Sequence, residues 1–357
     1  MRTKLDGIRA AAVLAVCALG SILGAGAPSV MAEPEAGDWR RAFEAEPVVY
    51  PETNPYSAEK AALGRRLFFD PALSGAGSMS CASCHDPAKG WGDNRPRGVG
   101  ELGIAMKVRT PTLLHVAAAP ILGWDGKFSS LENVTFTPIT SPTVMNLAES
   151  VLLQRLRADP GYRRDFAAAF PKGGITRATI EQALATYQRT IRPGPSAFDR
   201  WIAGDANAMT LRAREGFQLF TGKARCAECH SGAAFTDASF HDIGVGQGDD
   251  IGRGRFFPTS RMLRYAFKTP TLRDVAIRAP YMHDGSVPTL EAVIELYDRG
   301  GIERPSRAVE IRPLGLTPSE KADLLAFLKT LTGTPPAADT TGGRVDGLSA
   351  GSEGSPR

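Results

Sequence analysis

The chain has 357 residues, 43% hydrophobic and 22% charged. That excludes a disordered or collagen-like polymer and supplies enough apolar surface for two domains of ordinary size. Its 42 basic and 38 acidic side chains are interspersed and leave a net charge of only +4, so nothing in the charge pattern points to nucleic acid or an anionic membrane. With 38 glycines and 26 prolines, the expected architecture is helices joined by long ordered loops.

At the N-terminus, Arg2, Lys4 and Arg9 precede a short apolar run that ends on Val30-Met31-Ala32. This is the basic, apolar, small-residue order of a cleaved secretory signal. The run is too short and too broken by glycine for a membrane span. Residues 1–32 are therefore expected to be removed, together with Cys17, leaving a periplasmic chain without a membrane anchor. Residues 33–55 read as an extended arm rich in Pro and Glu.

The four remaining cysteines all lie in two copies of one motif, Cys81-Ala-Ser-Cys84-His85 and Cys226-Ala-Glu-Cys229-His230. C-x-x-C-H is the covalent attachment signature of a c-type haem: the thiols form thioethers at one porphyrin edge and the next residue, histidine, ligates iron. A zinc site would pair cysteines some tens of residues apart without a histidine directly after each pair. Here the pairs start 145 residues apart. Two covalently bound c-type haems are expected, with His85 and His230 as iron ligands.

Further along, the duplication extends beyond the haem motifs. Gly64-Arg-Arg-Leu67-Phe68 precedes the first motif and Gly216-Phe-Gln-Leu219-Phe220 the second. Thr110-Pro-Thr-Leu-Leu-His-Val-Ala117 matches Thr269-Pro-Thr-Leu-Arg-Asp-Val-Ala276, and fourteen residues after each Pro stands Asp-Gly, continuing to Leu-Glu-x-Val at Val134 and Val293. Such repetition reads as two copies of one unit. Helical stripes appear at Leu152, Leu153 and Leu156, and at Ile180, Ala183, Leu184, Tyr187 and Ile191. The last helix carries Thr317 as cap, Pro318 first and Glu320 completing a capping box. The chain divides into an N-terminal haem domain over 56–205, a C-terminal haem domain over 206–333, and a Pro-, Gly- and Ser-rich tail over 334–357 that reads as disordered.

The two copies differ where the far side of each iron must be filled. Four residues after Val293 comes Tyr297, whereas four after Val134 comes Pro138, which cannot ligate. One haem is thus expected to be capped and the other open.

The segments LGRRLFFDPALSG, SCASCH, TPTLLH, WDG, TPTLRDVAIRAPYMHDG and LTPSEKADLLAFLKTL resemble the bacterial diheme cytochrome c peroxidase family, its MauG-like members included, over about residues 56–333. The resemblance implies an all-α, loop-rich fold of two cytochrome c-like domains. It also implies an N-terminal haem that handles peroxide, a C-terminal haem that exchanges electrons, and a tryptophan between them, here Trp124. Peroxidase members cap the second haem with methionine and MauG with tyrosine, and the matching residue is Tyr297. For a MauG-like enzyme the implied reaction is oxidation of a protein substrate, the tryptophan tryptophylquinone precursor of methylamine dehydrogenase. The alternatives are a hydrogen peroxide reductase fed by a small cytochrome c or cupredoxin, and a plain diheme electron carrier.

Some family positions are occupied by other residues. The histidine that caps the first haem in many peroxidases matches Glu101, the proton-shuttling glutamate matches Val144, and a nearby glutamine matches Val134. Valine cannot transfer protons, which leaves Glu101 or Glu149 as substitutes. The asparagine of the family's interhaem calcium site matches Arg109, with Arg278 and Pro280 at the carbonyl donors, so calcium is not expected. A relay tryptophan two residues before the second motif is replaced by Ala224.

Overall fold

The computed structural model describes residues 42–44 and 47–334. The signal segment, most of the arm before residue 47 and the tail from residue 335 lie outside the described residues. Helices dominate: α1 Ala58–Phe69, α2 Leu131–Thr140, α3 Glu149–Ala158, α4 Pro160–Ala169, α5 Arg177–Arg189, α6 Ala197–Ile202, α7 Leu211–Thr221, α8 Leu290–Arg299 and α9 Pro318–Lys329. The regular sheet is one antiparallel pair, β1 Phe240–His241 and β2 Phe267–Lys268, with Phe240 opposite Lys268. No described helix is long and apolar enough to cross a membrane.

Local chemistry accounts for the helix ends. Ser57, Ser130, Thr176, Thr210 and Thr289 each accept a backbone N–H in the first turn of the helix they cap, removing orphan donors that would otherwise stay unpaired. Thr317 and Glu320 form the expected capping box, with Pro318 in the first turn.

Two apolar cores follow the duplication. The first gathers Leu63, Leu67, Phe68, Phe136, Leu152, Phe166, Ile180 and Leu184; the second gathers Phe198, Phe217, Phe220, Phe235, Ile294, Leu324 and Phe327. In each, the helix before the haem motif packs on a later one, α1 on α5 and α7 on α9. The repeated glycines make that approach possible. A Cβ on Gly64 would lie 2.0 Å from the Ala183 carbonyl oxygen, and one on Gly216 would lie 1.9 Å from that of Asp323.

The arm contributes to packing at both ends. Phe43 is buried among Phe198, Phe217 and Phe235 of the second core. Asn54 is buried against the first domain, donating to Glu132 at 2.9 Å and to the Gln182 carbonyl at 3.0 Å.

Candidate diheme centre and the seam between its halves

Each C-x-x-C-H segment folds as one tight turn, with His85 N–H donating to the Cys81 carbonyl at 2.9 Å and His230 N–H to that of Cys226 at 2.8 Å. Short 3₁₀ segments, Cys81–Ser83 and Cys226–Glu228, start at the first cysteine of each pair, and the second cysteine follows as the C-cap. Burial raises all four thiols, with Cys81, Cys226 and Cys229 pushed up to about 12.

The imidazoles are oriented alike. His85 Nδ1 lies 3.2 Å from the Trp91 carbonyl and His230 Nδ1 lies 3.0 Å from that of Phe235. A carbonyl can only accept, so Nδ1 carries the proton and Nε2 keeps the lone pair that a metal needs. Burial also lowers both imidazole pKa values, favouring the neutral ligand form. Cysteine pairs for thioethers and a pre-oriented imidazole beside each fit a c-type haem in both domains.

In the second domain Tyr297 sits in the last turn of α8, behind the Thr289 cap. Burial raises its phenol, and the Cys226 and Cys229 sulfurs are near enough to raise it further. The Tyr297 phenol therefore lies near the second cysteine pair. In the first domain, Pro138 lies within α2 at the corresponding place.

A cavity of about 290 Å³ opens beside the first motif, with Met79, Ser83, Cys84, Asp93, Arg95 and Glu101 among its lining residues. Glu101 accepts the Ala76 N–H at 3.0 Å and the Ser78 hydroxyl at 3.1 Å, and its own N–H donates to the Val144 carbonyl at 2.7 Å. Burial pushes its carboxyl up, but hydrogen bonds from Ser74, Ala76 and Ser78 outweigh this and hold it low. The structure thus puts an ionised acceptor next to Val144. Glu149 is placed differently. It starts α3 with its side chain 42% exposed, 3.5 Å from Arg177, and it is absent from the cavity lining. Glu149 is engaged in a surface ion pair.

Repeat-equivalent residues meet along the seam between the domains. Trp124 and His283, which hold the same place in the two copies, face each other edge-on at 6.5 Å. The residues before the two Thr-Pro-Thr segments exchange equivalent bonds: Arg109 N–H donates to the His283 carbonyl and Lys268 N–H to that of Trp124, each at 2.8 Å. His115 Nε2 lies 3.3 Å from Asp274 Oδ2, again a pair of equivalents. Two copies of one unit therefore pack isologously, each surface against its own counterpart.

The symmetry is broken where chemistry is expected. The Trp124 indole N–H donates to the Arg109 carbonyl at 3.0 Å. His283 instead stacks on Phe267 at 3.5 Å and sits 2.6 Å from Asp250. Three contributors escaped sequence reading: the Trp91 and Phe235 carbonyls, and Asp250. The carbonyls carry no side-chain signature, and Asp250 lies 33 residues from its partner in an irregular loop.

Comparison with known proteins agrees with this geometry. Residues 58–207 match the family described as "Di-haem cytochrome c peroxidase" and residues 213–332 match "Cytochrome c". The chain is 48% identical to the methylamine utilization protein MauG of Methylorubrum extorquens over 82% of this chain and 83% of that protein. It is 43% identical to MauG of Methylophilus methylotrophus, over 79% and 85%, and 33% identical to cytochrome c551 peroxidase of Nitrosomonas europaea, over 79% and 82%. Among solved structures, a MauG-like protein associated with microbial copper homeostasis superposes with a TM-score of 0.77 at 32% identity, covering 85% of this chain and 95% of that one. Two cytochrome c-like domains, each with a complete haem motif, and these relatives together place the chain in the diheme cytochrome c peroxidase family, as a MauG-like oxidoreductase that carries two c-type haems.

Proposed function

We propose that the protein oxidises a partner protein at a distance in the periplasm, after loss of its signal segment, and that the partner is the methylamine dehydrogenase precursor whose tryptophan pair becomes tryptophylquinone. The observation that carries this reading is Tyr297 beside the second cysteine pair, because a phenol oxygen that loses its proton on binding iron would favour high oxidation states where a thioether would not. The bound haems supply the redox chemistry with peroxide.

The polypeptide has four tasks in this reading. His85 and His230, held by the Trp91 and Phe235 carbonyls, would offer Nε2 to the irons. Pro138 has no donor atom to offer an iron, and the cavity beside the first motif would give peroxide room to reach the haem that His85 would hold. Glu101, ionised by its hydrogen bonds, accepts the peroxide proton in place of the missing glutamate. Trp124, hydrogen-bonded to the Arg109 carbonyl at the domain seam, would be the oxidisable group between the haems. Ala224, buried in the second core, would offer no oxidisable ring next to the second motif.

Electron paramagnetic resonance of the resting ferric protein tests this. One high-spin and one low-spin signal are expected, with Tyr297→Phe changing only the low-spin signal. Two low-spin signals, or a Tyr297→Phe spectrum identical to wild type, would leave a diheme electron carrier as the better account. Formation of quinone absorbance in methylamine dehydrogenase precursor treated with the protein and peroxide tests the substrate.

A further inference from the structure

The calcium site implied by the family would draw on residues 109, 278 and 280, and the donors at these positions do not suit a dication. Arg109 is 7% exposed, and its Nη2 donates to the Arg278 carbonyl at 2.8 Å. The oxygen that would ligate calcium is already engaged by a guanidinium. Arg278 is itself buried, its guanidinium donating to the carbonyls of Asp274, Thr271 and Arg273 at 3.1, 2.6 and 2.8 Å. Calcium needs six to eight oxygens, several of them anionic, and two buried guanidiniums oppose it.

The same arginine organises the seam. Its side chain reaches 169 residues along the chain to Arg278. Its N–H holds the His283 carbonyl and its carbonyl holds the Trp124 indole. Pinning the guanidinium therefore fixes the main chain on which the tryptophan hangs. Guanidinium suits the task because its charge does not titrate and its donors lie in a rigid plane.

We propose that Arg109 is a tethered replacement for the interhaem divalent cation, and that as a positioning residue it sets Trp124 between the haems, making their communication independent of calcium. This rests on the reading of Trp124 as the relay.

The test uses the holoprotein, with metal analysis, calcium titration calorimetry and redox titration followed by electron paramagnetic resonance. Wild type should hold no calcium, give no binding heat, and keep its interhaem coupling in chelator. Arg109→Asn should lose coupling and regain it on addition of calcium. Arg109→Lys, which keeps the charge, should lose less than Arg109→Asn without calcium. One calcium per wild-type chain whose chelation alters the coupling would overturn the proposal, and that measurement needs no variant. So would an Arg109→Asn protein with coupling intact. Trp124→Phe separates the two layers: if it too leaves coupling intact, the relay reading fails, and if only Arg109→Asn does, this proposal fails alone.

Discussion

Replacing Gly64 or Gly216 with alanine tests whether the duplicated haem unit is built on a close helix crossing. The added Cβ would stand 2.0 Å from the Ala183 oxygen and 1.9 Å from that of Asp323, short of ordinary contact at 3.4 Å by about 1.4 and 1.5 Å. The blocking atoms are backbone, so relief requires α1 to move off α5, or α7 off α9. Intrinsic propensity acts the other way, favouring alanine over glycine inside a helix by about 1 kcal/mol. Overpacking a rigid core costs about 1–3 kcal/mol and sometimes more, and a backbone clash of this depth belongs at the upper end. A net loss of about 1–2 kcal/mol is expected in each variant, lowering the melting temperature by roughly 3–5 °C per kcal/mol for a domain of this size. Far-UV circular dichroism and haem absorbance followed together during heating would measure it. Because α1 and α7 each lead into a haem motif, the absorbance should lose its transition earliest in the domain that carries the substitution. The sign decides the matter: a variant as stable as wild type, or more stable, would mean that propensity outweighs the contact and that the crossing is not tight.

Two further outcomes are expected. Trp124→Phe removes the donor to the Arg109 carbonyl, at a cost of about 0.5–1.5 kcal/mol, and should leave both resting paramagnetic signals while slowing communication between the haems; unchanged communication would refute the relay. Glu132 takes a two-pronged bond from Arg189 at 2.6 and 3.1 Å and a third from Asn54 at 2.9 Å. Burial alone would raise its carboxyl, but these bonds hold it below the ordinary range. A depressed folded-state pKa gives stability that is complete above the unfolded value near ~4.3 and is lost as pH falls through the folded value. Glu132→Gln should therefore cost about 1.5–3 kcal/mol at neutral pH, with the difference closing in acid, as denaturant titrations across pH would show; a gap that widened toward acid would contradict the assignment.

Much of the architecture was legible without coordinates because the signals are local or repeated. Haem attachment needs two thiols and an imidazole at a fixed short spacing, so Cys81, Cys84 and His85 announce the cofactor, as do Cys226, Cys229 and His230. The Thr317 cap and the duplicated glycines, Thr-Pro-Thr and Asp-Gly segments likewise depend on near neighbours or internal repetition. Only the tertiary structure decided how the copies face each other. The Trp124–His283 and His115–Asp274 pairs join residues 159 apart in sequence, and nothing local says that a residue will meet its own counterpart. The surroundings of the two candidate carboxylates also differ only in three dimensions. Glu101 is drawn beside Val144 by a backbone bond, while Glu149 is turned to Arg177. The atoms that orient the imidazoles and receive the Arg109 guanidinium are main-chain carbonyls of Trp91, Phe235 and Arg278. Every residue carries such an oxygen, so side-chain identity holds no record of which one is used, and that selection belongs to packing alone.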